Sequence, residues 1–275
     1  MAARFSGKAV FITGASSGIG AALAKRFAAE GARVALAARR TGLLRKVQRE
    51  IAAEGGDAIA VTCDVTSPVS IKRAVARVVK TYRRLDVVVA NAGMPVNGRF
   101  TTLDTADFRR QFDTNFFGVV DTIYATLPHL RKTRGRLAIV TSIAGRLPLP
   151  GGSAYCASKF AACGLAECLY HEFSEFGVSV TNVLPGFVNT EIGYVKRNGS
   201  IDRAKPNTIP EWLAAGADQA AAEMLDAIHA RKAEVVLTAH GKLIEAVGRY
   251  FPRLTRLGQR LAAKEVMHIL ERGAR

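Results

Sequence analysis

The chain has 275 residues, 49% of them apolar, and 39 Lys and Arg against 23 Asp and Glu, giving a formal charge of +16 and a sequence pI of about 10.2. That length suits one large α/β domain with a substantial core, and because no apolar run approaches the ~18 residues of a membrane span and no signal-peptide pattern precedes strand-like Lys8 to Thr13, a soluble, cytoplasmic protein is expected. The charge attracts phosphates, anionic lipids or acidic proteins alike, but zinc-finger spacing, RNP-like aromatics and a basic zipper are all missing, so no nucleic-acid partner is expected.

Short β-branched runs alternate with longer amphipathic segments, the pattern of repeated βα units around a parallel sheet. The first run, Ala9 to Thr13, leads into Gly14, Ala15, Ser16, Ser17, Gly18, Ile19 and Gly20, followed by helix-forming sequence from Ala21 to Glu30. A glycine-rich strand-to-helix turn lets backbone approach a pyrophosphate, whose charge is favoured by the free N–H groups at the helix N-terminus. The second run, Val34 to Ala38, ends in Arg39 and Arg40, about twenty residues past that turn, where NAD-binding domains place an acid on the ribose. Ala38 leaves the 2′ position open, and Arg39, with Arg40 beside it, can pair with a 2′-phosphate, so NADP(H) is the expected cofactor.

The third run, Ile59 to Cys63, is followed by Asp64 and Val65; Asp64 has a second reading as the cap of the Thr66 to Pro68 turn. Ile71, Val75, Val78 and Tyr82 recur at helical spacing and read as core. The fourth run, Val87 to Ala90, is closed by Asn91, Ala92 and Gly93, where Asn91 belongs to a cofactor floor whether or not it also braces adjacent strands. Phe108, Phe112, Phe116, Val119 and Ile123 predict one long buried helix carrying Asn115.

The fifth run, Leu137 to Thr141, ends in Ser142, thirteen residues before Tyr155. Tyr155 and Lys159 share a face if their segment is helical. An ordinary phenol, with a pKa of about 10, is a poor base near neutrality, and a neighbouring ammonium favours its phenolate. Tyr155 can then exchange a proton with a carbonyl or alcohol oxygen, and the Ser142 hydroxyl can stabilise a developing alkoxide. Ser142 also reads as a plain strand-end hydroxyl, and Asn115 as a helix-interior hydrogen bond. Cys156 lies between Tyr155 and Lys159 with no base in its sequence context to activate it. With Cys63, Cys163 and Cys168 it forms no CxxC pair and has no histidine at zinc-ligand spacing, so free thiols and no metal are expected.

The sixth and seventh runs are Val178 to Leu184, followed by Pro185 and Gly186, and Val235 to Leu237. Seven strands with crossover helices predict a single-domain, doubly wound, Rossmann-like parallel sheet with helices on both faces. Leu147, Pro148, Leu149, Phe187, Val188, Ile192 and Val195 should border a pocket, as substrate contacts or as ordinary packing. In the tail, Leu243, Val247, Tyr250, Leu254, Leu257 and Leu261 form one helical face flanked by Lys242, Arg249, Arg253, Arg256 and Arg260, with Pro252 expected to stop or kink the helix near Phe251. This face reads either as buried on the protein's own body or in an oligomer, or as a peripheral contact with anionic membrane. The chain thus divides into residues 1–240, catalytic and dinucleotide-binding, and 241–275, a basic, amphipathic helical extension.

The spacing GxxxGxG after Thr13, the Asn91-Ala92-Gly93 segment, and the ordered set Asn115, Ser142, Tyr155 and Lys159 resemble the short-chain dehydrogenase/reductase family over roughly residues 5 to 238. The resemblance implies catalytic roles for those four residues, with Asn115 holding a water that relays protons toward Lys159 and the lysine also touching the nicotinamide ribose. It implies cofactor contacts from Gly14, Ser16, Ser17, Gly18, Ile19, Gly20, Asp64, Val65, Asn91, Ala92, Gly93, Tyr155 and Lys159. Asp64 and Val65 hold the adenine; Pro185, Gly186, Val188 and Thr190 lie toward the nicotinamide. The expected activity is NADP(H)-dependent interconversion of a carbonyl and an alcohol on a lipophilic substrate, in a homodimer or homotetramer. The alternatives are a 3-oxoacyl carrier-protein reductase and a non-catalytic NADP(H)-sensing protein.

Overall fold

The structure, a computed structural model, describes residues 3–195, 200–202 and 214–272, and in the last helix the side chains of 252–261 and of Ala263. Seven parallel strands form one sheet in the order β3-β2-β1-β4-β5-β6-β7: β1 (Ala9–Thr13), β2 (Arg33–Ala38), β3 (Asp57–Thr62), β4 (Val87–Ala90), β5 (Arg136–Val140), β6 (Ser179–Leu184) and β7 (Glu234–Val236). Each run read from the sequence is present, β1 and β4 with the same ends and the others with ends shifted by at most two residues, as strand ends commonly are. Helices α1 (Gly18–Ala29), α2 (Thr41–Ala53), α3 (Pro68–Tyr82), α4 (Thr105–Phe112), α5 (Gly118–Thr133), α6 (Ser153–Ser174) and α7 (Ala217–His229) supply the crossovers, and α8 (Ala239–Tyr250) and α9 (Pro252–Arg272) follow the last strand.

Alternate strand residues feed two cores, because a sheet covered on both faces buries both sides of every central strand. Val10, Ile12 and Leu36 meet Leu23 and Phe27 of α1, Leu44 and Ile51 of α2, and Met224 of α7. On the opposite face Phe11, Val88 and Ile139 meet Ile71 and Val78 of α3, Ile123 of α5, and Leu169 and Phe173 of α6. Strand order reverses between β1 and β4, so the loops at their C-terminal ends part there and open a crevice, the usual ligand position in such sheets.

The long aromatic helix expected around Asn115 is corrected in two respects. It is three pieces, α4, a π-helical turn over Asp113–Phe117, and α5. Phe108, Phe112 and Phe116 are half-buried, whereas Val119 and Ile123 are buried. A π turn adds a residue to the helical repeat and shifts which side chain faces inward; here Asn115 is the buried member. At the other end of the chain the helix breaks where Pro252 predicts: Phe251 leaves helical geometry and Pro252 opens α9. Residues 273–275 of the expected extension lie outside the described residues. No helix among the described residues is long and apolar enough to cross a membrane.

Candidate active site

The crevice at the strand ends is a cleft of about 1010 Å³ whose wall includes the turn after β1, the ends of β2 to β5, the start of α6 and the segment after β6. Gly14 and Gly18 have φ of +68° and +57°, a region that costs other residues steric strain. A Cβ on Gly14 would meet Ala92 Cα at 2.9 Å, and one on Gly20 would meet the Gly14 carbonyl oxygen at 2.6 Å. The turn therefore packs backbone on backbone and presents the N-terminus of α1, with Ser16, Ser17 and Ile19, to the cleft, a site suited to an anionic phosphate. Thr13 ties this turn to β4: its hydroxyl accepts from the N–H groups of Asn91 and Ala92, both at 3.0 Å. Asn91 returns a bond from Nδ2 to the Thr13 carbonyl at 2.8 Å, so it braces the strands while lining the cleft.

The two arginines after β2 divide. Arg40 donates to Ser16 Oγ at 3.1 Å and Ser17 Oγ at 2.6 Å and pairs with Glu191 at 2.8 Å, which fastens the segment after β6 over the glycine-rich turn. Arg39 is exposed, lines the cleft, and has no ion pair among the described residues. No sequence pattern pointed to Glu191. Asp64 lines the cleft with Val65, and its carboxylate also accepts from Thr66 N and Oγ1, the turn-capping arrangement. Its second reading and its place at the cleft hold together.

At the deep end, Ser142 caps the short turn after β5, accepting from Ala144 N at 3.1 Å, and it lines the cleft together with Tyr155. Tyr155 and Lys159 lie one turn apart on α6, with the Lys159 ammonium 5.8 Å from the ring centroid. Burial pushes the phenol pKa up to about 12, and the Ser142 hydroxyl offsets part of that rise. Burial brings the Lys159 pKa down to about 8, although its Nζ donates to the Val140 carbonyl at 2.9 Å. Desolvation disfavours the charged form of each group, so at neutral pH the geometry holds a protonated phenol beside a cation.

Asn115 is buried behind the cleft wall and does not line it. Its amide accepts from Met94 N and donates to the Met94 carbonyl, both at 3.0 Å, and donates to Ser158 Oγ at 3.2 Å. It thereby fastens the segment that follows Gly93 to α6; a Cβ on Gly93 would lie 3.3 Å from its Oδ1 and 3.7 Å from Lys159 Nζ. Pro185, Gly186, Val188 and Thr190 all line the cleft. Gly186 is fixed from a direction the sequence did not suggest: Phe187 N donates to His240 Nε2 at 3.0 Å, and the two rings stack. Thr238, buried and with φ of +71°, stands so close that a Cβ on Gly186 would meet its Oγ1 at 2.6 Å.

Of the expected pocket border, Leu149, Phe187, Val188, Ile192 and Val195 line the cleft. Leu147 and Pro148 instead turn to the C-terminal helices. Leu147 lies against Gly248, and the Pro148 carbonyl accepts from Gln259 at 2.7 Å. Met94, Ile143, Pro150 and Ile201 are apolar wall residues that helical or strand periodicity did not mark. Cys63, Cys156 and Cys163 are buried free thiols, and Cys168 is an exposed one. Burial pushes the Cys156 thiol up, away from nucleophilic character.

Residues 8–199 match the short chain dehydrogenase family. Dehydrogenase/reductase SDR family member 7B of Bos taurus is 32% identical over 237 residues, 83% of this chain and 72% of that protein. 11-beta-hydroxysteroid dehydrogenase A of Arachis hypogaea is 38% identical over 203 residues, 72% of this chain but 58% of that longer relative. Among solved structures, a short chain dehydrogenase/reductase from Burkholderia phymatum in complex with NAD superposes with a TM-score of 0.81, at 24% identity, over 91% of this chain and 96% of that one. The alcohol dehydrogenase of the archaeon Thermococcus sibiricus, complexed with 5-hydroxy-NADP, gives 0.72 at 29% identity over 84% and 95%. The chain belongs to the short-chain dehydrogenase/reductase family of oxidoreductases, which act at alcohol or carbonyl groups.

Proposed function

We propose that this protein is an NADP(H)-dependent oxidoreductase that interconverts a lipophilic carbonyl compound and its alcohol, with Asn115, Ser142, Tyr155 and Lys159 as its working set. The observation that carries this reading is the placement of Ser142, Tyr155 and buried Lys159 in the wall at the deep end of one cleft, which begins at the glycine-rich turn. The close-packed glycines, the open N-terminus of α1 and the Asn91 floor fit a dinucleotide. Such a cofactor supplies or accepts the hydride when bound. The chain's own residues govern the proton. Tyr155, protonated at neutral pH, donates to the carbonyl oxygen; the Ser142 hydroxyl, beside the phenol, donates to the same oxygen as it gains charge; Lys159 stabilises the phenolate left behind. Asn115 is a positioning residue here, holding Met94 and Ser158 around that set.

The choice of NADP(H) rests on this chain's residues, since one structural relative is complexed with NAD and another with an NADP derivative. Ala38 ends β2 without a carboxylate, and Arg39 faces the cleft. NADPH is expected to bind at least about tenfold more tightly than NADH, and Arg39→Ala to remove that preference, because a charge-assisted guanidinium–phosphate contact contributes about 1.5–3 kcal/mol. Titration calorimetry of both cofactors checks this; equal affinities in the native chain would contradict it. The apolar wall formed by Met94, Ile143, Leu149, Phe187, Ile192 and Ile201 supports a lipophilic substrate. A homodimer or homotetramer is the proposed assembly, with exposed Tyr124 on α5 and Phe160 on α6 available to a second copy.

The protonation states also fix a pH dependence. Lys159 is charged below about 8 and neutral above it, while the phenol keeps its proton well beyond that range. For carbonyl reduction, kcat/KM should hold steady from about pH 6 to about 7.5 and fall as pH rises through about 8, because it reports the free enzyme. A pH profile on a water-soluble ketone measures this, and a reductive rate that climbs through pH 8 would be against it. Screening NADPH consumption over ketones, aldehydes and 3-oxoacyl thioesters tests the activity itself; no consumption with any class would remove the reading.

A further inference from the structure

The tail carries an apolar surface that the site does not use. On α8, Leu243 and Tyr250 are 66% and 70% exposed; on α9, Leu254, Leu257 and Leu261 are 59%, 55% and 74% exposed, and Phe251 at the joint is exposed as well. At about 100° per residue each helix places these side chains on one face. The cations lie beside them in the same arrangement on both helices. Lys242 and Arg249 sit about 100° round from Leu243 and Tyr250, and Arg253, Arg256 and Arg260 lie about 100° round from Leu254, Leu257 and Leu261. Lys242 pairs with Glu223 and Arg249 approaches Glu245 at 4.0 Å, whereas Arg253, Arg256 and Arg260 pair with no carboxylate among the described residues.

We infer that this face of α8 and α9 docks on the surface of an anionic bilayer. An apolar stripe with a one-sided row of cations is what an interfacial helix needs: the apolar side chains enter the acyl boundary while the cations meet lipid phosphates. Charge selects this occupant over a second copy of the chain, since two such faces would bring two rows of arginine together on proteins that each carry +16. The docking element lies in the extension from residue 241, whose inner side packs on Leu147, Pro148 and Glu223. Its position also has a consequence for catalysis. The segment 147–149 runs from contact with α8 and α9 to Leu149 in the cleft wall. Docking brings the enzyme to a lipophilic substrate dissolved in the bilayer, a statement that rests on the function proposed above.

The test is cosedimentation of the full-length protein with vesicles of phosphatidylcholine alone and of phosphatidylcholine with 30% phosphatidylserine, at about 50 mM and about 500 mM salt, where screening separates charge from apolar attachment. The expected result is binding to the anionic vesicles at low salt, weakened at high salt and on neutral vesicles. It should fall at least about tenfold in Leu254→Ser/Leu257→Ser/Leu261→Ser, whose positions are exposed and leave the core intact. Arg253→Gln/Arg256→Gln/Arg260→Gln should lose the salt dependence. NADPH-linked turnover in both variants separates the two readings: a short soluble ketone should be reduced as by the native chain, and a long-chain ketone dissolved in anionic vesicles more slowly. A native chain that ignores anionic vesicles at low salt, a leucine variant that binds equally well, or a stripe needed only for self-association would overturn the docking. Absence of turnover on both ketones with vesicle binding intact would count against the proposed activity and not against the docking.

Discussion

Replacing Tyr155 with Phe is expected to lower turnover of a good carbonyl substrate by about 10²–10⁴-fold, the usual contribution of a positioned general acid. The phenol hydroxyl is the one proton donor that the proposed chemistry uses, and burial keeps its proton in place at neutral pH. Phe keeps the ring, so α6 and its packing are preserved and NADPH affinity should change little. Single-turnover measurements with saturating NADPH, alongside a thermal melt, separate loss of proton donation from loss of fold. Near-native turnover in Tyr155→Phe would assign the proton to another group.

Lys159→Ala should be as damaging and differ in kind. It removes a buried cation that lies over the Tyr155 ring and donates to the Val140 carbonyl. Without that charge the phenolate formed on proton donation stands in a desolvated site with less to stabilise it, and a loss of about 10²–10³-fold in turnover follows. The lysine also borders Gly93 and lines the cleft proposed for the dinucleotide, so the KM for NADPH should rise with the fall in kcat. That split distinguishes it from Tyr155→Phe, for which kcat falls alone. Unchanged KM and kcat in Lys159→Ala would contradict its place in the site.

Much of this architecture is legible in the chain because local chemistry and tertiary position coincide. The runs from Ala9 to Leu237 are apolar enough to sit only in a sheet covered on both faces. Gly14 and Gly20 answer to backbone approaches of 2.9 and 2.6 Å that no side chain survives. Tyr155 and Lys159 declare themselves by sharing a helical face. What escaped the sequence depends on contacts between segments far apart in the chain. Nothing near Glu191 indicates that it meets Arg40, and nothing near His240 indicates that its ring holds Phe187. The π turn at Asn115 hid for a different reason. One added residue leaves the spacing of Phe108, Phe112 and Phe116 readable as an ordinary helix, while changing which side chains are buried.

The central claim is hydride transfer to a carbonyl carbon at the Tyr155 end of the cleft. NADPH carrying deuterium on the transferable face of C4, incubated with the native protein and a ketone that it consumes, gives the direct measurement: mass spectrometry of the alcohol product. The account predicts one deuterium per molecule at the carbinol carbon, formed by the native chain and lost together with turnover in Tyr155→Phe. Alcohol formed without that label, or NADPH bound with no alcohol formed from any carbonyl class, would contradict it.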